Sequence, residues 1–200
     1  TKEARILADL VKSYAGDEVR LTLRQNILIR HVREDLLPFF YQELEKLGMV
    51  DLGYESIQDV TACPGTDTCN LGIASSTGIG DELGKVLRSE YPQFADNKDL
   101  MIKISGCMNA CGQHTLAHIG FQGMTVKSDG KIAPATQILL GGGVLGNGTG
   151  RFADKVLKVP AKRTPEVLRW ILNDYDTERK SEEDFFAYYD RRTKDYFYQN

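Results

Sequence analysis

Apolar positions along the chain switch between two periods. Over residues 3–14, Ala4, Leu7, Leu10, Val11 and Tyr14 recur at helical spacing and Gly16 follows, which predicts an amphipathic helix closed by a glycine. The period then drops to two. Val19, Leu21 and Leu23 alternate with Arg20, Thr22 and Arg24, the pattern of a half-buried strand. A second strand is expected at 27–32. Pro38 suits the first turn of the next helix, and Gly48 suits its end after Leu44 and Leu47. Residues 1–51 therefore read as helix, strand, strand, helix, a small α+β unit whose two strands are too few to be stable alone.

From residue 52 the pattern is different. A short strand at 57–61 runs into Cys63. Residues 69–90 are expected to be helical, with an irregular first half where Gly72, Ala74, Ser75, Ser76, Gly78 and Gly80 crowd together. Leu100–Ile104 reads as a buried strand leading to Gly106 and Cys107, with a short helix from about Ala110. Strands at 117–126 and 131–140 are joined by a turn at Ser128, Asp129 and Gly130. A glycine-rich loop spans 141–150, and a strand follows at 154–158. Thr164-Pro165-Glu166 opens a helix with Thr164 as N-cap. Ser181 and Asp184 open a last helix, rich in Phe and Tyr, to about 198. Its rings (Phe185, Phe186, Tyr188, Tyr189, Tyr196, Phe197) are expected to face a missing segment or a neighbouring domain.

Composition narrows the function classes. The chain has 200 residues, 42% hydrophobic and 26% charged, with a formal net charge of −3. A nucleic-acid binder usually carries a basic surplus, so none is expected as a partner. No apolar run reaches the ~20 residues that span a bilayer, so no membrane is expected either. The first apolar stretch, Ile6–Val11, is short and broken by Asp9, unlike a signal peptide. The first residue is Thr1, which reads as a fragment or a processed product. Four sparse cysteines do not make a disulfide scaffold, and with no export signal they favour the cytoplasm.

Those cysteines fall in two tight pairs, Cys63-x5-Cys69 and Cys107-x3-Cys111. On a helix, residues four apart share a face. Both pairs are expected where a strand gives way to a helix, whose N-terminal N–H groups and dipole favour thiolates and an anionic cluster. Gly65, Gly72, Gly106, Ala110 and Gly112 let backbone approach a bulky cofactor. Spacing and placement leave an iron–sulfur cluster, a structural zinc, two disulfides or unliganded core cysteines open. The x5 spacing lies outside the usual zinc knuckle.

The stretch Thr61-Ala-Cys63-Pro-Gly-Thr-Asp-Thr-Cys69, followed by Ser105-Gly-Cys107-Met-Asn-Ala-Cys111-Gly112, resembles the signature of the sirohaem-dependent nitrite and sulfite reductases. Arg20-Leu-Thr-Leu-Arg24-Gln25-Asn26 resembles that family's ferredoxin-like half-domain strand, and Leu139-Leu-Gly-Gly142 its later glycine turn. The resemblance implies an α+β fold: a ferredoxin-like half-domain (1–51), a mixed-sheet sirohaem/iron–sulfur reductase domain (52–178) and a C-terminal aromatic helix (179–200). It also implies a [4Fe–4S] cluster on Cys63, Cys69, Cys107 and Cys111. Cys111 would bridge to the iron of sirohaem, and Gly106, Asn109 and Gly112 would line the macrocycle. Met108 stands where a proline is usual, and Met can fill the same space.

In that family the chain is a tandem of two similar halves, with the cluster cysteines in the second. The resemblance thus makes this the cluster-bearing half of an assimilatory enzyme reducing nitrite to ammonia or sulfite to sulfide. Its implied partners are the N-terminal half and an electron donor such as ferredoxin or a flavoprotein. Cys111-Gly112-Gln113 leans toward nitrite, and the Cys63-Pro-Gly stretch with Cys69-x-Leu toward sulfite; nitrite is favoured. Arg20 and Arg24 become a second copy of the strand that contacts sirohaem, with a solvated strand edge as the alternative. A non-catalytic [4Fe–4S] electron-transfer module is the other functional reading. His114 and His118 at helical spacing lack a nearby carboxylate for zinc hydrolysis. The 141–150 glycines lack the Lys-Ser/Thr of a phosphate loop.

Overall fold

The computed structural model describes residues 1–128, 130–146 and 148–199. Asp129, in the expected turn, and Asn147, in the expected glycine loop, lie outside the described residues. The chain divides into two compact units, Thr1–Tyr54 and Glu55–Asn200. Among the described residues no helix is long and apolar enough to cross a membrane.

The smaller unit holds α1 (Lys2–Tyr14), β1 (Val19–Leu21), β2 (Ile27–Ile29) and α2 (Leu37–Lys46). Thr1 Oγ1 accepts the Ala4 N–H and caps α1, as expected of a threonine at that position. β1 and β2 pair antiparallel, Arg20 opposite Leu28. Gly48 follows α2 with φ +65°, a left-handed position that glycine adopts without strain and that ends the helix. Leu7, Leu10, Val11 and Phe40 are buried. The strand expected to be half-buried is not. Leu21 is 82% and Leu23 79% exposed, because a two-stranded ladder in so small a unit has too little structure to cover its faces. The Arg20 guanidinium lies 4.0 Å from Glu18 at the surface.

The larger unit is built on a five-stranded mixed sheet. Its strands are β3 (Thr61–Ala62), β4 (Ile102–Ser105), β5 (Ile119–Ser128), β6 (Lys131–Leu140) and β9 (Asp154–Pro160), in that spatial order. β3, β4 and β5 run parallel; β5–β6 and β6–β9 are antiparallel. Within the expected glycine loop, β7 (Gly143–Val144) and β8 (Gly150–Arg151) form a small ladder. Three helices complete the unit: α3 (Ser76–Glu90), α4 (Thr164–Glu178) and α5 (Phe185–Gln199).

The core lies on one face of this sheet. Ile102, Ile104, Ile119, Phe121, Ile138 and Leu140 meet Leu83 and Leu87 of α3 and Leu168, Ile171 and Leu172 of α4. The rings of Phe185, Tyr188 and Phe197 join the same core, each 1% exposed or less. The aromatic face expected to await a partner is therefore filled from within, through Tyr175 and Trp170 of α4. Asp184 Oδ1 accepts the Ala187 N–H and starts α5, and the helix breaks at Thr193, where φ is +70°.

Two further expectations change. Thr164 is not the N-cap of α4: Arg163 occupies that position, and the buried Thr164 hydroxyl donates instead to Thr136 Oγ1 at 3.0 Å. α3 begins at Ser76, not Cys69, with Ser75 Oγ accepting the Gly78 N–H. The preceding residues are irregular because Ile73 and Ala74 direct their N–H groups to the Gly106 carbonyl, at 2.9 and 3.1 Å.

Candidate metal and cofactor centre

Parallel pairing of β3 with β4 places the two cysteine loops side by side. The Cys63 N–H reaches the Ile104 carbonyl at 3.1 Å, so the end of β3 lies level with the end of β4. Just beyond, the Gly106 N–H donates to Cys63 Sγ at 3.1 Å. Sequence positions more than forty apart thus meet through one hydrogen bond, next to Cys107.

The backbone around these loops is packed as closely as glycine permits. A Cβ on Gly106 would lie 2.7 Å from Gly65 Cα, and one on Gly72 would lie 2.6 Å from the Gly65 carbonyl carbon. A Cβ on Gly112 would lie 1.9 Å from the Ile104 carbonyl oxygen. Real side chains do not fit there, so these glycines fix how near the loops sit to the sheet and to each other.

All four cysteines are free thiols. Cys63 and Cys107 are buried, Cys69 is half-buried and Cys111 is exposed. Met108 and Asn109 are exposed beside Cys111, while Gly106 and Gly112 are buried. The cysteine loops thus carry both covered sulfurs, on Cys63 and Cys107, and an accessible one, on Cys111. Burial by itself raises the Cys63 thiol. Hydrogen bonding with the Ser76 hydroxyl, and from the Gly106 and Gly65 N–H groups, outweighs it and holds the thiol below its ordinary value. The Ser76 hydroxyl lies 3.3 Å from Cys63 Sγ and donates to the Cys63 carbonyl at 2.6 Å.

The segment after Cys107 is not the expected helix. Ala110 and Gln113 both have positive φ, 58° and 59°, and a right-handed helix cannot pass through them. The segment is instead a pair of turns. The Gln113 N–H bonds to the Ala110 carbonyl at 2.7 Å, and the Gly112 N–H to Ser105 Oγ at 3.0 Å. Cys107 and Cys111 thus do not share a helix face. At the other loop, Cys63 is followed by a 3-10 turn, Gly65–Asp67, and not by an α-helix N-terminus.

His114 and His118 likewise do not form a helical pair. His114 opens a single 3-10 turn, His114–Leu116, and His118 lies beyond it, ahead of β5. Burial lowers the His114 pKa; Lys155 acts in the same sense, and a hydrogen bond with Gln122 opposes them. Among the described residues, no three His, Cys, Asp or Glu side chains gather as ligands of one metal ion. Four soft thiolate donors on two adjoining loops are of the kind that a cube of iron and sulfide takes, one at each iron.

The two parts of the chain match two family profiles in series. Residues 1–47 match the nitrite/sulfite reductase ferredoxin-like half domain. Residues 53–198 match the nitrite and sulphite reductase 4Fe-4S domain. The chain belongs to the nitrite and sulfite reductase family. The family's cofactors are a [4Fe–4S] cluster and sirohaem. Relatives carry both names. The ferredoxin–nitrite reductase of Synechococcus elongatus is 28% identical over 86% of this chain and 33% of its own length. The chloroplastic ferredoxin–nitrite reductase of Zea mays is 31% identical over 83% of this chain and 29% of its own length. The NADPH sulfite reductase hemoprotein beta-component of Staphylococcus carnosus is 29% identical over 90% and 30%. The chain spans about a third of the length of these reductases. The fold matches the solved structure of Mycobacterium tuberculosis NirA with a TM-score of 0.80 at 22% identity, over 98% of this chain and 36% of that one.

Sequence reasoning overlooked several residues that shape this reductase domain. Ser76 and Ser105 hold the cysteine loops, Gly123 packs against the Gly106 carbonyl, and the buried Lys103 donates to Gln113 Oε1 at 2.6 Å. A lysine inside the otherwise apolar run of β4 was the one available signal.

Proposed function

We propose that this chain is the cluster-bearing half of an assimilatory nitrite or sulfite reductase, with nitrite the favoured substrate. The observation that carries the reading is the Gly106 N–H on Cys63 Sγ, which brings both halves of the cysteine signature to the ends of two adjacent parallel strands. Cys63, Cys69, Cys107 and Cys111 are the proposed ligands of the [4Fe–4S] cluster. Cys111, the exposed thiol, is the proposed bridge to sirohaem, and Gly106, Asn109 and Gly112 are its proposed neighbours.

When bound, the two cofactors would supply the anion-binding iron and relay, one at a time, the six electrons that the external donor provides. The chain's own residues place and tune. Glycines 65, 72, 106 and 112 keep side chains out of the space beside the loops, and N–H groups directed at Cys63 stabilise its anionic form. The exposed Leu21 and Leu23 support an N-terminal half that covers them. An electron donor of the ferredoxin or flavoprotein class and a cytoplasmic location complete the reading.

The test is anaerobic purification of the chain, with iron, acid-labile sulfide and visible absorption measured together. Iron and sulfide in the ratio of one [4Fe–4S] cluster per chain, lost in the Cys63→Ser and Cys107→Ser variants, are expected. Zinc in a colourless protein would overturn the reading. Co-production with the N-terminal half should add intense sirohaem bands and turnover. A cluster with no sirohaem even then would favour the electron-transfer module.

A further inference from the structure

Ser76 is the first residue of α3, and none of its surface is exposed. The capping of that helix falls to its neighbour, since Ser75 Oγ accepts the Gly78 N–H at 3.2 Å. The Ser76 hydroxyl instead turns inward, between the two cysteine loops. A Cβ on Gly65 would strike it, and one on Gly106 would lie 3.2 Å from it.

Two acceptors lie within its reach, and both belong to Cys63. The hydroxyl donates to the Cys63 carbonyl at 2.6 Å, and Cys63 Sγ lies 3.3 Å from the same oxygen. The Gly106 N–H meets that sulfur at 3.1 Å. A hydroxyl has one proton and rotates to suit its surroundings. It can serve the carbonyl or the sulfur, but not both at full strength. Charge decides the choice, because a hydrogen bond to an ionised acceptor is roughly twice as strong as a neutral one. A cysteine bound to iron has no S–H to give, so Cys63 Sγ would then only accept. Its negative charge grows when a cluster takes up an electron.

We propose that Ser76 is a positioning residue of the cluster, whose hydroxyl turns from the Cys63 carbonyl to Cys63 Sγ as charge builds on the sulfur. The electron comes from the donor, and the proton stays on the serine oxygen throughout. Hydrogen bonds to cluster sulfurs set the potential, and this one strengthens in the more negative state, so it makes the cluster easier to reduce. The inference rests on the cluster reading above. It adds a side chain outside the cysteine signature to the backbone donors at Cys63, whose direction is fixed by the fold.

The test uses the chain reconstituted anaerobically with iron and sulfide. It is titrated with dithionite against redox mediators and followed by electron paramagnetic resonance of the reduced cluster. Ser76→Ala should lower the equilibrium constant for one-electron reduction about tenfold, a fall of about 59 mV in potential. Ser76→Thr, which keeps the hydroxyl, should recover most of that loss. A purely structural hydroxyl would lower the melting temperature of Ser76→Ala and leave its potential equal to wild type, and that result would overturn the inference. So would a Ser76→Thr protein displaced as far as Ser76→Ala.

If Ser76→Ala takes up no cluster, the wild type carries the test. Proton hyperfine spectroscopy of its reduced cluster should show a coupled proton that is replaced in deuterated buffer ahead of the Gly106 amide, because a hydroxyl exchanges without parting the loops. Coupling to slowly exchanging protons alone would overturn the inference. A wild-type chain that binds no cluster under the same conditions overturns the cluster reading itself, a result separate from a loaded wild type that Ser76 does not influence.

Discussion

At the scale of single residues, neighbouring positions in one turn call for opposite chemistry. Gly112 sits where a Cβ would lie 1.9 Å from the Ile104 carbonyl oxygen. Gly112→Ala should therefore push the turn off the sheet and destabilise the unit by about 3 kcal/mol, measured as a lowered urea midpoint. Ala110, two residues earlier, holds φ at 58°, a conformation costing an L-residue about 1–2 kcal/mol that glycine avoids. Ala110→Gly should leave the midpoint unchanged or raise it slightly. A Gly112→Ala chain as stable as wild type would mean the turn is loosely held. Residue identity concealed this part of the site. Alanine and glutamine give no sign of positive φ, so Ala110 reads as a helix start and the cysteine spacing as a helix face. The two cysteine pairs were legible as loops at strand ends, since each follows a short apolar run that pairs with the other in parallel.

At the scale of elements, periodicity was a sound guide where a strand or helix has one wet face and one dry face. α1, α3 and the long β5–β6 pair follow it. It failed where partners distant in sequence decide burial. α5 is the clearest case, since its rings enter a core that α4 and the sheet create. The turn leading into α5 is secured by Glu183, whose carboxylate accepts from Arg191 at 2.6 and 2.7 Å. The Arg191 guanidinium, working against desolvation of the carboxylate and aided by the Lys180 N–H, holds the Glu183 pKa down at about 2, from an ordinary 4.5. A lowered folded-state pKa contributes stability above the unfolded value, and that contribution is lost as pH falls toward the folded one. Wild type should therefore exceed Glu183→Gln in stability at neutral pH. The gap should close between pH 4.5 and about 2, as read from denaturation midpoints across that range. A gap independent of pH would show that the carboxylate's charge is irrelevant.

At the scale of the whole molecule, two units of unequal self-sufficiency share one chain. The larger has a sheet covered by three helices. The smaller buries few apolar side chains and leaves Leu21 and Leu23 open. Residues 55–200 produced alone should melt cooperatively by circular dichroism, whereas residues 1–54 alone should show no sharp transition. A sharp melt of the short piece would mean its two strands need no cover. Composition and pattern separated these regions, but they did not reveal how the first compensates for so small a core. The relatives that this chain matches are about three times its length.

The hydrogen bond from Gly106 to Cys63 also serves as a built-in gauge. An amide directed at sulfur exchanges its proton with solvent only when the two loops part. Deuterium uptake at that one position therefore reports whether the loops are in register, even before any iron is present. Core substitutions in β4 that slacken the sheet would register there as faster exchange well before the fold is lost.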